Sequence, residues 1–210
     1  MDELNASELG KLDYWENCYD KELNNFHNHG DPGEIWFGDD IVNRIIQWME
    51  MSELVKKDSK LLDIGCGNGM FVVELANEGF TNLHGVDYSE KAVELAKAIA
   101  NKQNLNIHFS TQNILDGLRD KFDIIHDKGT YDAISLSENA LENRNVYINN
   151  VYDSLNNNGL FIITSCNWTE SELIQQFKMK FESFHTIPTP QFKFGGKVGS
   201  VVSSCVFKRK

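Results

Sequence analysis

From residue 60 onward the apolar positions follow two alternating rhythms. Short continuous runs suit strands buried on both faces: 60–64, 83–87, 107–110, 122–126 and 160–165, the last strongly β-branched and aromatic. Between them the spacing becomes helical. Over 69–78, Phe71, Val72, Leu75 and Ala76 share one face. Over 89–101, Ala92, Val93, Ala96, Ile99 and Ala100 do the same, with Ser89 placed as N-cap. A further helix is predicted over 139–155, ended by the turn residues Asn156-Asn157-Asn158-Gly159. Thr169-Glu170-Ser171-Glu172 spells a capping box for a helix reaching about residue 180. Two more strands, near 181–187 and 200–207, flank Pro188-Thr189-Pro190 and Gly195-Gly196, a composition suited to a long antiparallel excursion.

Strands separated by helices imply a doubly wound α/β fold: a mostly parallel, seven-stranded, Rossmann-like sheet with an antiparallel C-terminal strand. Ligands of such sheets bind beyond the C-terminal strand ends, where the strand order reverses. The positions to inspect are therefore those after Ile64, Val86, Ser110, His126 and Ser165. Residues 1–59 read as an N-terminal cap on the 60–210 core, with an aromatic segment (Tyr14, Trp15, Tyr19, Phe26) and an amphipathic helix near 39–55. No internal repeat or linker breaks the chain, so 1–210 is expected to be a single domain.

Composition narrows the class. At 210 residues and 41% hydrophobic, the chain has enough material for one substantial core. No apolar run approaches the roughly 20 residues that span a bilayer, and Met1-Asp2-Glu3-Leu4 lacks a signal-peptide pattern. Cys18, Cys66, Cys166 and Cys205 form no C-x-x-C pair, which argues against a zinc site or disulfide framework. The expected setting is the cytoplasm or nucleus, with no membrane. A net charge of −11 weighs against a phosphate backbone as partner; Lys56-Lys57 and Lys208-Arg209-Lys210 are the only basic clusters. An acidic surface steers basic partners instead. His27 and His29 read as solvated histidines, and no metal site is expected.

The chemistry concentrates in Asp63-Ile64-Gly65-Cys66-Gly67-Asn68-Gly69. Gly65, Gly67 and Gly69 permit tight turning and close approach of a ligand to backbone, and the loop opens a helix. Dinucleotide sites use G-x-G-x-x-G, with the third glycine one residue later. Asp63 suits an amino group, as on the methionine part of S-adenosylmethionine, and would repel a pyrophosphate. Asp87, ending the second strand, is placed to accept hydrogen bonds from both hydroxyls of a ribose; its alternative role is a helix-start acid before Ser89. Tyr88 offers an adjacent aromatic surface. Asn113 and Ile114 after the third strand suit the edge and face of an adenine, or a plain surface turn. Cys66 reads as a small side chain that fits the loop.

Several further segments resemble one family. Tyr14-Trp15 with Tyr19, Gly33-Glu34-Ile35-Trp36-Phe37-Gly38, Asp127 to Ile134, Ser165 to Thr169 and Pro188 to Gly196 are similar to the class I methyltransferases. Within them the resemblance is to the lysine methyltransferases of translation elongation factor 1-alpha, and it spans nearly the whole chain. Asn113 departs from the pattern, standing where the family more often has aspartate. The resemblance implies transfer of the S-adenosylmethionine methyl group to a lysine Nε of that protein; a monomer is the expected state. It places Asp127 where related enzymes orient the attacking nitrogen, with a structural acid as the alternative. Trp36 is assigned to the cofactor, and Phe37, Asn167 and Trp168 to the substrate; core packing is the other fate open to the tryptophans. A different methyl acceptor, a nicotinamide-dependent oxidoreductase and a non-catalytic cofactor-binding module are the competing readings.

Overall fold

The computed structural model describes residues 3–194 and 197–210; Met1-Asp2 and Gly195-Gly196 lie outside the described residues. Two helices come first, α1 (Leu12–His29) and α2 (Asp39–Met51). There follow β1 (Leu61–Ile64), α3 (Met70–Asn77), β2 (Leu83–Asp87), α4 (Glu90–Lys102), β3 (His108–Thr111) and β4 (Phe122–Lys128). Then come α5 (Thr130–Ser135), α6 (Ala140–Ser154), β5 (Leu155–Ser165) and α7 (Glu170–Phe177). The last stretch holds β6 (Phe181–Ile187), a hairpin of β7 (Gln191–Phe194) and β8 (Lys197–Ser200), and β9 (Ser203–Arg209).

Seven strands form one sheet in the order β3-β2-β1-β4-β5-β9-β6. β1 to β5 pair in parallel, and β9 runs antiparallel between β5 and β6. Chain order therefore reverses between β1 and β4, and a crevice opens beyond their C-terminal ends. Both sheet faces are covered, which explains the continuous apolar runs. Along β5, Leu160 and Ile162 enter the core shared with α1 to α4, while Phe161 and Ile163 enter the core under α5 to α7. Each such fully buried side chain contributes roughly 1.5–3 kcal/mol.

The aromatic segment forms a helix of 18 residues. Tyr19, Leu23 and Phe26, at helical spacing, bury into the same cluster as Ile45 and Met49 of α2 and Leu95 of α4. Gly30 then ends α1 in the left-handed region at φ 76°, and His27 and His29 sit exposed in its last turn. Ser89 caps α4 by accepting from Ala92 N at 3.1 Å, and Thr169 forms both halves of its capping box. Asn156 to Gly159 do not form a free turn. They lie within β5, where the pairing with β4 slips between Phe122 and Ile124 and Asn158 takes φ 64°. The short α5 has no counterpart in the sequence reading, because six residues are too few to display a period. Among the described residues no helix is long and apolar enough to cross a membrane.

Candidate active site

The loop after β1 is shaped by its glycines. Gly65 and Gly67 adopt φ 61° and 55°, in the left-handed region that a Cβ disfavours. A Cβ at Gly65 would also collide with Thr130 Oγ1, and one at Gly67 with the Tyr19 hydroxyl. The loop is thus packed between the start of α5 and the N-terminal helix α1. Asn68 fastens a third segment to it: its Nδ2 donates to Pro32 O at 3.0 Å and Glu34 O at 3.1 Å. That brings the 32–38 segment, with Trp36 and Phe37, over the crevice.

These pieces enclose a cavity of about 250 Å³ at the reversal of strand order. Gly65, Gly67, Asp87 and Tyr88 line it, as do Asn113, Ile114, Trp36, Phe37 and Asn167. Asp87 is buried; its Oδ2 accepts from Gly67 N at 2.9 Å and its Oδ1 from Ser89 N at 2.9 Å. Burial pushes its carboxyl up to about 6, partly offset by those two amide donors. Asn113 accepts from Leu115 N at 3.0 Å, capping the turn at Ile114–Asp116, so one of its acceptor positions is already engaged. Trp36 is braced edge-on by Trp15, with ring centroids 5.2 Å apart. Trp15 in turn donates to Leu9 O at 2.8 Å, so the first helix and the segment before it form one wall. Cys66 is enclosed beside the loop, and burial pushes its thiol up, away from thiolate chemistry.

Four expected site residues do not line the cavity. Asp63 is buried, with its Oδ1 at 2.7 Å from His126 Nδ1, so one of its two carboxylate oxygens is engaged by an imidazole inside the sheet. Gly69 has φ 74° and faces Ala96 and Phe109, so its missing Cβ makes room for packing between α4 and β3. Asp127 is fully enclosed and accepts from Thr130 N at 3.0 Å, Tyr131 N at 3.1 Å and the Tyr147 hydroxyl. Its neighbours on β4 explain this: side chains alternate across a strand, so Asp127 faces α6 while His126 and Lys128 face the other way. Burial pushes the Asp127 carboxyl up to about 8 against the pull of its three donors. Trp168 is also buried; its Nε1 donates to Ser135 Oγ at 3.1 Å, and the Arg144 guanidinium lies 5.2 Å from its ring.

The cavity also holds residues the sequence reading passed over. Asp132, in α5, lines it beside Asn167 and accepts from Ser165 Oγ and from Cys166 N at 2.8 Å. Burial holds its carboxyl above the usual range, and the bonds from Ser165 and Cys166 oppose that. Lys128 and Thr130 line the same wall, with Gln112 near Asn113. The available signal was the strand end followed by Gly129 and Thr130, which turns the chain sharply into α5.

Fold and site together define a doubly wound α/β enzyme with a nucleoside-sized cleft over a glycine loop and a strand-end carboxylate. Residues 55–204 match the family described as "Methyltransferase domain". The chain is 43% identical to "EEF1A lysine methyltransferase 2" of Mus musculus, over all of this chain and 87% of that protein. It is 41% identical to "Protein-lysine N-methyltransferase efm4" of Schizosaccharomyces pombe, over 99% of this chain and 97% of that protein. Its fold is similar to that of magnesium protoporphyrin IX methyltransferase from Synechocystis PCC 6803, solved with bound SAM. The TM-score is 0.70 at 18% identity, covering 98% of this chain and 99% of that one. The chain belongs to the methyltransferase family of these proteins, and it is an enzyme of that class.

Proposed function

We propose that this methyltransferase moves a methyl group from S-adenosylmethionine to the Nε of a lysine in translation elongation factor 1-alpha. The observation that carries the acceptor is the likeness along the whole chain to relatives named for lysine methylation, in Mus musculus and in Schizosaccharomyces pombe. The cavity supports the cofactor. A buried carboxylate at the end of β2 and the backbone of Gly65 and Gly67 face one space, as a ribose and an amino-acid chain require. When bound, S-adenosylmethionine supplies an electrophilic methyl group.

The chain's own residues do the rest. Asp87 accepts the ribose hydroxyls, Tyr88 and Ile114 bound the base, and Asn113 meets its edge. Gly65 and Gly67 keep the backbone close to the ligand, and Trp36 covers it. Phe37 and Asn167 stand on the substrate side with Asp132. The acceptor must arrive as a neutral amine, although only about one free lysine in a thousand is neutral near pH 7.4. Enclosure by Trp36 and Phe37 disfavours the ammonium form, and the Asp132 carboxylate orients the nitrogen and holds its proton. Asp127 acts one step back, by holding the N-terminus of α5 and with it Asp132. The 1–59 segment belongs functionally with the 60–210 core, since Trp15, Trp36 and Phe37 wall the cavity from it. The enzyme works as a monomer in the cytoplasm.

The test is transfer of a radiolabelled methyl group to purified elongation factor 1-alpha, with Asp87→Ala as control and mass spectrometry to locate the product. A labelled lysine that disappears in the control is the expected result. Firm cofactor binding without transfer to that protein would overturn the acceptor and leave the cofactor standing.

A further inference from the structure

Lys128 ends β4 and is the only basic residue among the described residues that line the cavity; the charged residues beside it there, Glu34, Asp87 and Asp132, are acids. It is partly buried, with Nζ 5.8 Å from the centre of the Phe37 ring. No salt bridge among the described residues uses it, in contrast to Lys11, Lys57, Lys60 and Lys91, which are all paired at the surface. Burial lowers its pKa from the usual lysine range, and Asp63 and Asp127, attracting it from the interior, oppose that. A lysine placed there without a carboxylate partner is costly to the folded chain unless a ligand brings one.

Sheet register says which part of a ligand it would meet. Ile64 on β1 pairs with Val86 on β2 and with Asp127 on β4. Asp87 and Lys128, each one residue further on, therefore stand at one level on either side of the glycine loop. They are two strand spacings apart, about 10 Å between backbones. Thr130, two residues after Lys128, packs directly on Gly65. A ligand whose ribose sits on Asp87 and whose chain crosses Gly65 brings its far end to Lys128.

We propose that Lys128 binds the carboxylate at the amino-acid end of the cofactor, which rests on the reading that the cofactor is S-adenosylmethionine. The opposite charges at the two sides of the cavity then match the two ends of the ligand: Asp87 receives hydroxyl donors, and Lys128 receives the anion. Phe37 closes over the ammonium group and keeps water from screening the pair.

Calorimetric titration separates the possibilities with two ligands: S-adenosylhomocysteine, which carries the carboxylate, and 5′-methylthioadenosine, which has the same nucleoside and sulfur without it. Lys128→Met is expected to weaken S-adenosylhomocysteine by about tenfold or more, with 5′-methylthioadenosine unchanged and therefore the nucleoside pocket intact. Lys128→Arg should restore most of the loss. Equal weakening of both ligands, or none, would overturn the carboxylate contact. A wild-type protein that binds neither ligand would overturn the cofactor reading as well.

Discussion

The Tyr147 hydroxyl donates to Asp127 inside the core between α6 and β4. With the amides of Thr130 and Tyr131 it fills the acceptor positions of a carboxyl that has no access to the cavity. That arrangement ties the start of α5 to the end of β4, the junction from which Lys128, Thr130 and Asp132 all reach the site. Asn in place of Asp keeps one carbonyl oxygen but puts an NH2 in place of the other, facing donors that need an acceptor. Asp127→Asn should therefore lower stability by about 1–3 kcal/mol in urea denaturation, with cofactor affinity unchanged. A loss of turnover without loss of stability would instead make Asp127 a group that meets the acceptor.

Asp132→Asn is expected to behave differently. Its carboxylate lines the cavity, so its removal should lower turnover by roughly 10²-fold or more and leave cofactor binding intact. Steady-state kinetics with calorimetry on the same preparation checks both halves.

Cofactor affinity should depend on pH through Asp87. Its carboxyl is pushed up to about 6, chiefly by burial, with Asp63 and Glu16 adding to the rise. Ribose hydroxyls donate to the ionised form, so affinity increases as pH rises through that value and levels off above it. At pH 5 binding should be about tenfold weaker than on the plateau, one unit below the titration point. Asp87→Asn should flatten the profile and weaken binding at every pH. A wild-type profile that is already flat would show that Asp87 does not carry the hydroxyls.

Trp168→Phe should act on the fold alone. It removes the donor to Ser135 Oγ and part of the surface under Arg144. A loss of about 1 kcal/mol in thermal or urea unfolding is expected, with KM for the protein substrate unchanged. A raised KM at wild-type stability would return Trp168 to the substrate channel.

Gly65→Ala combines a left-handed φ of 61° with a collision against Thr130 Oγ1. Both effects strain the loop, so the variant should lose stability and cofactor affinity together. Thr130→Ser would not relieve it, because the hydroxyl that collides remains, whereas Thr130→Ala in the same chain should recover part of the loss.

Much of this molecule is legible along the chain because the governing signals are local. Strand runs and helical spacing need only neighbouring residues, so 83–87 and 181–187 fall where β2 and β6 form. The Ser89 cap and the Thr169 capping box are likewise settled within four residues. The glycine loop and Asp87 announce a nucleoside site through spacing and strand-end position. The direction in which a polar side chain faces is not a local property. Asp63 meets His126, a residue 63 positions away, only once β1 and β4 pair. Asp127 and Lys128 are adjacent in sequence, yet the pleat sends one into the core under α6 and the other into the cavity. The walls from Trp15 and Tyr19 come from a helix that docks on α4, far from the loop it covers. Sequence by itself determined the elements, the glycine loop and the strand-end acid; tertiary structure decided which acids face the ligand, because that depends on which layer each strand face is packed against.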